Sequence, residues 1–230
     1  MTLALIFDLD GTLFQTNKIL EISLEDTFNQ LRTMQLWEKE TPIEKYREIM
    51  GVSLPVVWET LLPTHSNEVR EQANEFFHEK LVANINEGNG ALYPHVEEVF
   101  DYLKNNNCSI YIASNGQREY LKTIVDYYNL DKWVMETFSI QQIPTQDKAD
   151  LVKSILMKYQ MEKGAVIGDR LSDINAAKNN RLISIGCKFD FAQEDELAQA
   201  DIIIDSLLEL KPIFAELNVA DIEGMLVKRI

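Results

Sequence analysis

Residues 3–7, Leu-Ala-Leu-Ile-Phe, run straight into Asp8-Leu9-Asp10-Gly11-Thr12, and no other stretch of the chain constrains its fold and chemistry as tightly. An unbroken apolar run of this length is too short for a helix or a membrane span. It reads as a central strand of a parallel sheet, buried on both faces. Alternate side chains of a strand share a face, so Asp8 and Asp10 are expected to point the same way while the strand persists. Gly11 then permits a sharp turn. Two carboxylates so close repel unless a cation or a shared proton intervenes. An Asp-Gly turn after a strand accounts for the same letters without any chemistry, so the rest of the chain must decide.

The composition permits an enzyme of ordinary size. With 46% hydrophobic residues in 230, a substantial core is available. A net charge of −15 argues against nucleic acid or an anionic membrane as partner, and favours magnesium. A small phosphorylated substrate would then need a locally electropositive site. Cys108 and Cys187 both lie in apolar, strand-like settings, which implies neither a disulfide framework nor a zinc site. His65, His78 and His95 have no metal-ligand spacing and are expected at the surface. Asp8 and Asp10 interrupt the first apolar run, and no basic start precedes it, so no signal peptide is expected and a cytoplasmic protein is the default.

The pattern changes twice along the chain. Residues 15–86 carry helical spacing over 19–34, 42–50, 54–62 and 67–85, with little strand signal. From Leu92 onward, helical segments alternate with short apolar strands at 109–113, 134–140, 164–168, 182–186 and 201–205. That alternation predicts an α/β fold: a doubly wound parallel, Rossmann-like sheet formed by residues 1–14 and 87–230, with residues 15–86 as an inserted helical block.

Further polar clusters follow the predicted strands, where ligands gather in open α/β folds. Ser114-Asn115-Gly116 offers a hydroxyl and backbone N–H groups at the start of a helix, a place for phosphate, although Asn-Gly is also an ordinary turn pair. Gly168-Asp169-Arg170-Leu171-Ser172-Asp173 sets two carboxylates four residues apart as a helix begins. Asp169 can reach a metal from there; Asp173 serves equally well as a first-turn acid favoured by the helix dipole.

Taken together these segments resemble the haloacid dehalogenase-like hydrolase superfamily, in its phosphatase branch. Its first motif stands as Asp8-Leu9-Asp10-Gly11-Thr12, its second as Ser114-Asn115-Gly116, its third as Lys148 in Asp147-Lys148-Ala149-Asp150, and its fourth as Gly168-Asp169 with Asp173. Leu92-Tyr93-Pro94 and Leu182-Ile183-Ser184-Ile185-Gly186 resemble the phosphoglycolate phosphatase-like subgroup, from which His95 (often Gly there) and Asn179-Asn180 (usually Ala-Gly) depart. The resemblance implies a phosphatase acting on a small phosphorylated metabolite through an aspartyl-phosphate. Asp8 is its nucleophile and Asp10 its general acid and base. Mg2+ is held by the Asp8 carboxylate, the Asp10 carbonyl and Asp169, with Asp173 acting indirectly. The phosphate lies among Thr12, Ser114, Asn115, Gly116 and Lys148.

The helical block then corresponds to a cap that closes over the site. Its loop at Met50–Pro55 is a candidate substrate contact, whereas Lys45 and Arg47 are better read as a solvated face and Val57, Trp58, Leu61 and Leu62 as cap core. A dehalogenase, a phosphonatase, a phosphomutase and a catalytically silent binding module are the alternatives on the same fold. A monomer or a homodimer is expected.

Overall fold

The computed structural model describes residues 2–49, 54–190 and 192–216. The chain forms two compact units, one from the segments up to Gln15 and from Leu92 onward, the other from Thr16–Ala91.

The first unit is built on a six-stranded parallel sheet of order β3-β2-β1-β4-β5-β6. Its strands are β1 (Leu3–Phe7), β2 (Cys108–Ser114), β3 (Val134–Ser139), β4 (Gly164–Gly168), β5 (Ile183–Cys187) and β6 (Ile202–Ile204). All five residues of β1 are buried, as a strand covered on both faces requires. Its alternation divides the core. Ala4 and Ile6 pack with Leu151, Val152 and Ile155 of α7 (Lys148–Tyr159) and Ala176 and Ala177 of α8 (Leu171–Asn179). On the opposite face the Phe7 ring meets Phe100 of α5 (Val96–Asn105) edge-on at 5.1 Å.

That helix forms because Val96, Val99, Phe100 and Leu103 recur at helical spacing, and all four are buried. His95, just before it, takes φ +69°, a backbone conformation that favours glycine. The remaining helices of this unit are α6 (Arg118–Tyr127), the short α9 (Glu194–Leu197) and α10 (Leu210–Glu216). Beyond Phe7 the chain folds back on itself, and Phe14 bridges antiparallel to Leu92. The two points where the chain leaves and re-enters this unit therefore lie side by side.

The second unit contains α1 (Asn17–Thr33), α2 (Ile43–Glu48), α3 (Leu54–Leu61) and α4 (Asn67–Asn86). Its core is aromatic: Trp58 packs against Phe77 at 5.7 Å and Phe28 at 6.5 Å, with Val57, Leu61 and Leu62 buried beside it. Arg47 is gripped by Glu21 through two bonds of 2.6 and 2.8 Å and by Glu44, and Lys45 pairs with Glu48, as members of a solvated charged face. Of the Met50–Pro55 segment, residues 50–53 lie outside the described residues, while Leu54 and Pro55 open α3. His65 and His78 are partly buried in this unit rather than at its surface, and His65 Nε2 meets the Leu36 carbonyl at 2.8 Å. Among the described residues no helix is long and apolar enough to cross a membrane.

Candidate active site

Strand order reverses direction between β1 and β4, and the polar motifs converge at the carboxyl ends of these strands and of β2, where open α/β sheets leave a crevice. Asp8 follows β1, Ser114 closes β2 and Asp169 follows β4, while Lys148 opens α7. The Asp8 N–H still donates to the Ile167 carbonyl at 2.8 Å, extending the ladder by one bond.

The strand ends at Phe7, however, so strand alternation does not set the directions of the two carboxylates as the sequence pattern implied. The N–H groups of Leu13 and Phe14 both turn back to the Leu9 carbonyl. Asp8 and Asp10 consequently sit in different environments. Asp8 is buried and pairs with Lys148; Asp10 is partly exposed and accepts from the Tyr120 hydroxyl.

Lys148 is placed by its helix. Asp147 caps α7, its side chain accepting from the Ala149 N–H at 2.6 Å. The residue that follows is 4% exposed, and its ammonium lies 2.9 Å from Asp8 Oδ1 and 2.5 Å from Asp173 Oδ1. Burial disfavours its charge, but Asp173 and Asp8 outweigh that cost and hold Lys148 protonated, above its ordinary range.

One ammonium does not balance the carboxylates around it. Asp8, Asp169 and Asp173 bring oxygens within 4.8 Å of one another, and all three are buried. Burial raises Asp8 well above the usual carboxylate range, against the pull of Lys148 and with the help of Asp173, Asp169 and Asp10. Burial, then the Asp173 charge, pushes Asp169 up to about 7. Hard oxygen donors carrying surplus negative charge suit a small divalent cation, so the donor set fits Mg2+.

Asp173 is already engaged on both oxygens. Oδ1 meets Lys148, and Oδ2 accepts from the Arg170 N–H at 3.1 Å, which closes the start of α8. Two glycines make this crowding possible. A β-carbon at Gly11, which has φ +74°, would stand 2.5 Å from Asp169 Oδ2, and one at Gly168 would stand 2.3 Å from Asp173 Oδ2.

Two members of the expected phosphate set have other partners. Thr12 is fully buried and donates its hydroxyl to Asp169 Oδ1 at 3.0 Å, so it orients a carboxylate of the cluster. The Gly116 N–H donates to Ser114 Oγ at 3.0 Å, which closes the turn on itself. Asn115 is exposed at its tip.

Several residues that hold these loops escaped the sequence reading. Ser139 Oγ donates to the Gly116 carbonyl at 2.6 Å, and Gln141 Oε1 accepts from the Arg118 N–H at 3.2 Å. The end of β3 thus braces the turn after β2. The pattern Ser139-x-x-Gln142, a capping box, was the available signal. Glu196 accepts from Arg170 Nε and from the Leu171 N–H, at 3.0 and 2.9 Å, and so fixes the loop that carries Asp169. Nothing local to Glu196 advertised that contact.

The raised carboxyls of Asp8 and Asp169 have a measurable consequence. A carboxyl whose folded pKa exceeds its unfolded value makes its stabilising contribution fully below the unfolded value, and that contribution is lost as pH rises through the folded one. In chelator, the contribution of Asp169 is therefore expected to fall between about pH 4 and about pH 7, the latter being its folded value. Added Mg2+ should raise the melting temperature more at pH 7.5 than at pH 5, because metal binds deprotonated ligands. Melting curves of the wild type and Asp169→Asn across this range provide the check; parallel curves would overturn the account.

Comparison with known proteins gives the chain a family. The profile of the haloacid dehalogenase-like hydrolase family matches residues 5–187, and the chain belongs to that family. Similar relatives are the pyrophosphatase PpaX of Listeria monocytogenes serotype 4b, 24% identical over 91% of this chain and 94% of its own length, and the phosphoglycolate phosphatase of Vibrio vulnificus, 22% identical over 89% and 92%. Among solved structures, CbbY from Rhodobacter sphaeroides in complex with phosphate has a TM-score of 0.75 at 20% identity, over 91% of this chain and 96% of that one. The haloacid dehalogenase-like family protein SP0104 from Streptococcus pneumoniae gives 0.74 at 19%, over 93% and 98%.

Proposed function

We propose that the protein is a Mg2+-dependent phosphatase that hydrolyses a small phosphorylated metabolite through an aspartyl-phosphate on Asp8. The observation that carries this reading is the junction of Asp8, Lys148, Asp169 and Asp173 in one buried cluster at the reversal point of the sheet. A carboxylate held on an ammonium, beside further carboxylates suited to a divalent cation, is what nucleophilic attack on a phosphoryl group requires.

Asp8 attacks phosphorus through a carboxylate oxygen, with Oδ1 already oriented by the Leu9 N–H at 2.7 Å and by Lys148. Asp10, in its more open position, gives its proton to the leaving oxygen as the ester bond breaks. It then takes one from the water that hydrolyses the acyl phosphate. Lys148 and the Ser114 hydroxyl, together with the Asn115 N–H, hold the phosphoryl oxygens. The Asp8 and Asp169 carboxylates, with the Asp10 carbonyl, would hold Mg2+, while Asp173 sets the Lys148 ammonium. The bound cation supplies charge neutralisation between nucleophile and phosphate.

The relatives are named for pyrophosphate and for phosphoglycolate, which favours a compact, strongly anionic substrate here. We assign the choice among such substrates to the helical unit Thr16–Ala91, inserted between the first motif and the rest of the core, because the core motifs address only the phosphoryl group that all candidates share. A screen of phosphorylated metabolites and pyrophosphate, with Mg2+ and with chelator, tests the proposal. Turnover of at least one compact phosphate in Mg2+, abolished by chelator, is expected. Equal turnover in chelator removes the metal from the reading, and no turnover of any phosphate in Mg2+ favours a silent binding module.

A further inference from the structure

Tyr120 lies in the first turn of α6, and only 6% of it is exposed. Its hydroxyl donates to Asp10 Oδ1 at 2.5 Å, across 110 positions of sequence, a length at the short end of charge-assisted bonds to carboxylates. Its ring has a second engagement. A β-carbon at Gly116 would lie 3.1 Å from Tyr120 Cδ1, so the ring is seated directly against the turn that follows β2. One side chain thus spans the turn assigned to the phosphate and the carboxylate assigned to proton transfer. Phenylalanine would fill the same space among the same neighbours. The hydroxyl adds a fixed bond to a carboxylate that is otherwise partly open to solvent.

We propose that Tyr120 is a positioning residue for Asp10, holding its carboxylate in the orientation that proton exchange with the leaving oxygen demands and coupling that orientation to the turn at Gly116. The inference rests on the assignment of Asp8 and Asp10 to phosphoryl transfer. In the first half-reaction the Asp8–phosphorus bond forms as the phosphorus–ester oxygen bond breaks, and the carboxyl proton of Asp10 moves to that oxygen. In the second, Asp10 takes a proton from the water whose oxygen attacks phosphorus, which restores the Asp8 carboxylate and releases phosphate. Both transfers demand a carboxylate placed within hydrogen-bond reach and held in line.

The test compares Tyr120→Phe with wild type on an aryl phosphate, whose leaving group needs little protonation, and an alkyl phosphate, whose leaving group needs it fully. Correct general acid–base catalysis contributes ~10²–10⁴-fold, and misorientation forfeits part of it. Expected is a fall in kcat of about 10- to 30-fold on the alkyl ester and less than about threefold on the aryl ester, with KM unchanged for both. Asp10→Asn combined with Tyr120→Phe should be no slower than Asp10→Asn alone, since the tyrosine acts through the carboxylate.

Equal losses of Tyr120→Phe on the two esters, or additive losses in the double variant, overturn the positioning role and leave Tyr120 a packing residue. Should Asp10→Asn itself lose equally on both esters, or the wild type hydrolyse neither, the acid–base assignment fails and the role of Tyr120 fails with it. A leaving-group-dependent loss in Asp10→Asn alone separates the first failure from the second.

Discussion

Asp8→Asn is expected to lower turnover by more than ~10³-fold, the scale seen when a catalytic nucleophile is removed, while the protein stays folded. The amide keeps an oxygen to accept from the Leu9 N–H, where Asp8 Oδ1 now sits at 2.7 Å. It also removes one charge from a buried group of three carboxylates. Because burial and its acidic neighbours raise Asp8 far above its ordinary range, its ionised form is a burden on the metal-free fold near neutral pH. The melting temperature of Asp8→Asn in chelator should therefore equal or exceed that of wild type even though activity is gone. Single-turnover rates and thermal melts of one preparation check both halves, and activity within tenfold of wild type would remove Asp8 as nucleophile.

Lys148→Met is expected to fail in the opposite way, losing stability as well as activity. The methionine approximates the stem of the lysine but leaves Asp8 and Asp173 without the ammonium that stands 2.9 and 2.5 Å from them. Breaking a buried ion pair from one side costs about 3–5 kcal/mol, which lowers the melting temperature of a chain of this size by roughly 10 °C. Losing a preorganised donor to the phosphoryl oxygens should cost a further ~10²–10³ in kcat. Mg2+ should restore part of the stability, because a divalent cation replaces the missing positive charge, and little of the activity. An unchanged melting temperature in chelator would show that the cluster does not depend on Lys148 for its neutrality.

The parts of this site that were legible in the sequence are those that strands and helix starts place by local rules. Asp8, Ser114 and Asp169 stand at the ends of apolar runs, so chain-local patterns locate each beside a strand end, whereas Lys148 was singled out by the family resemblance and stands at the start of α7 behind the capping Asp147. What was not legible is what those residues do to one another. Thr12 had the look of a ligand to phosphate because it closes the first motif, yet its hydroxyl is committed to Asp169, 157 positions away. The shared direction inferred for Asp8 and Asp10 assumed a strand that persists, whereas the turn-back of Leu13 and Phe14 onto Leu9 ends it at Phe7. Tyr120 lies in an ordinary amphipathic helix and Glu196 in a short acidic one. Their importance arises from which loops the strand order brings together, and no spacing within either segment carries that information.

The central place of β1 also has a consequence for how the protein is made. Leu3 pairs with Cys108 and Ala4 with Gly164, so the first strand has neighbours on both sides that are encoded 105 and 160 positions later. At about 5–20 residues per second of synthesis, Leu3–Phe7 leaves the ribosome roughly 5–20 seconds before its first partner exists, and longer before its second. Through that interval the helical unit can fold by contacts within itself while a wholly apolar segment of the sheet remains an unpaired strand, the kind of segment that aggregates or recruits a chaperone. Slowing translation between Thr16 and Ala91 would lengthen this exposure without altering a single native contact, so the yield of folded enzyme should respond to synonymous codons in a stretch that contributes nothing to the sheet.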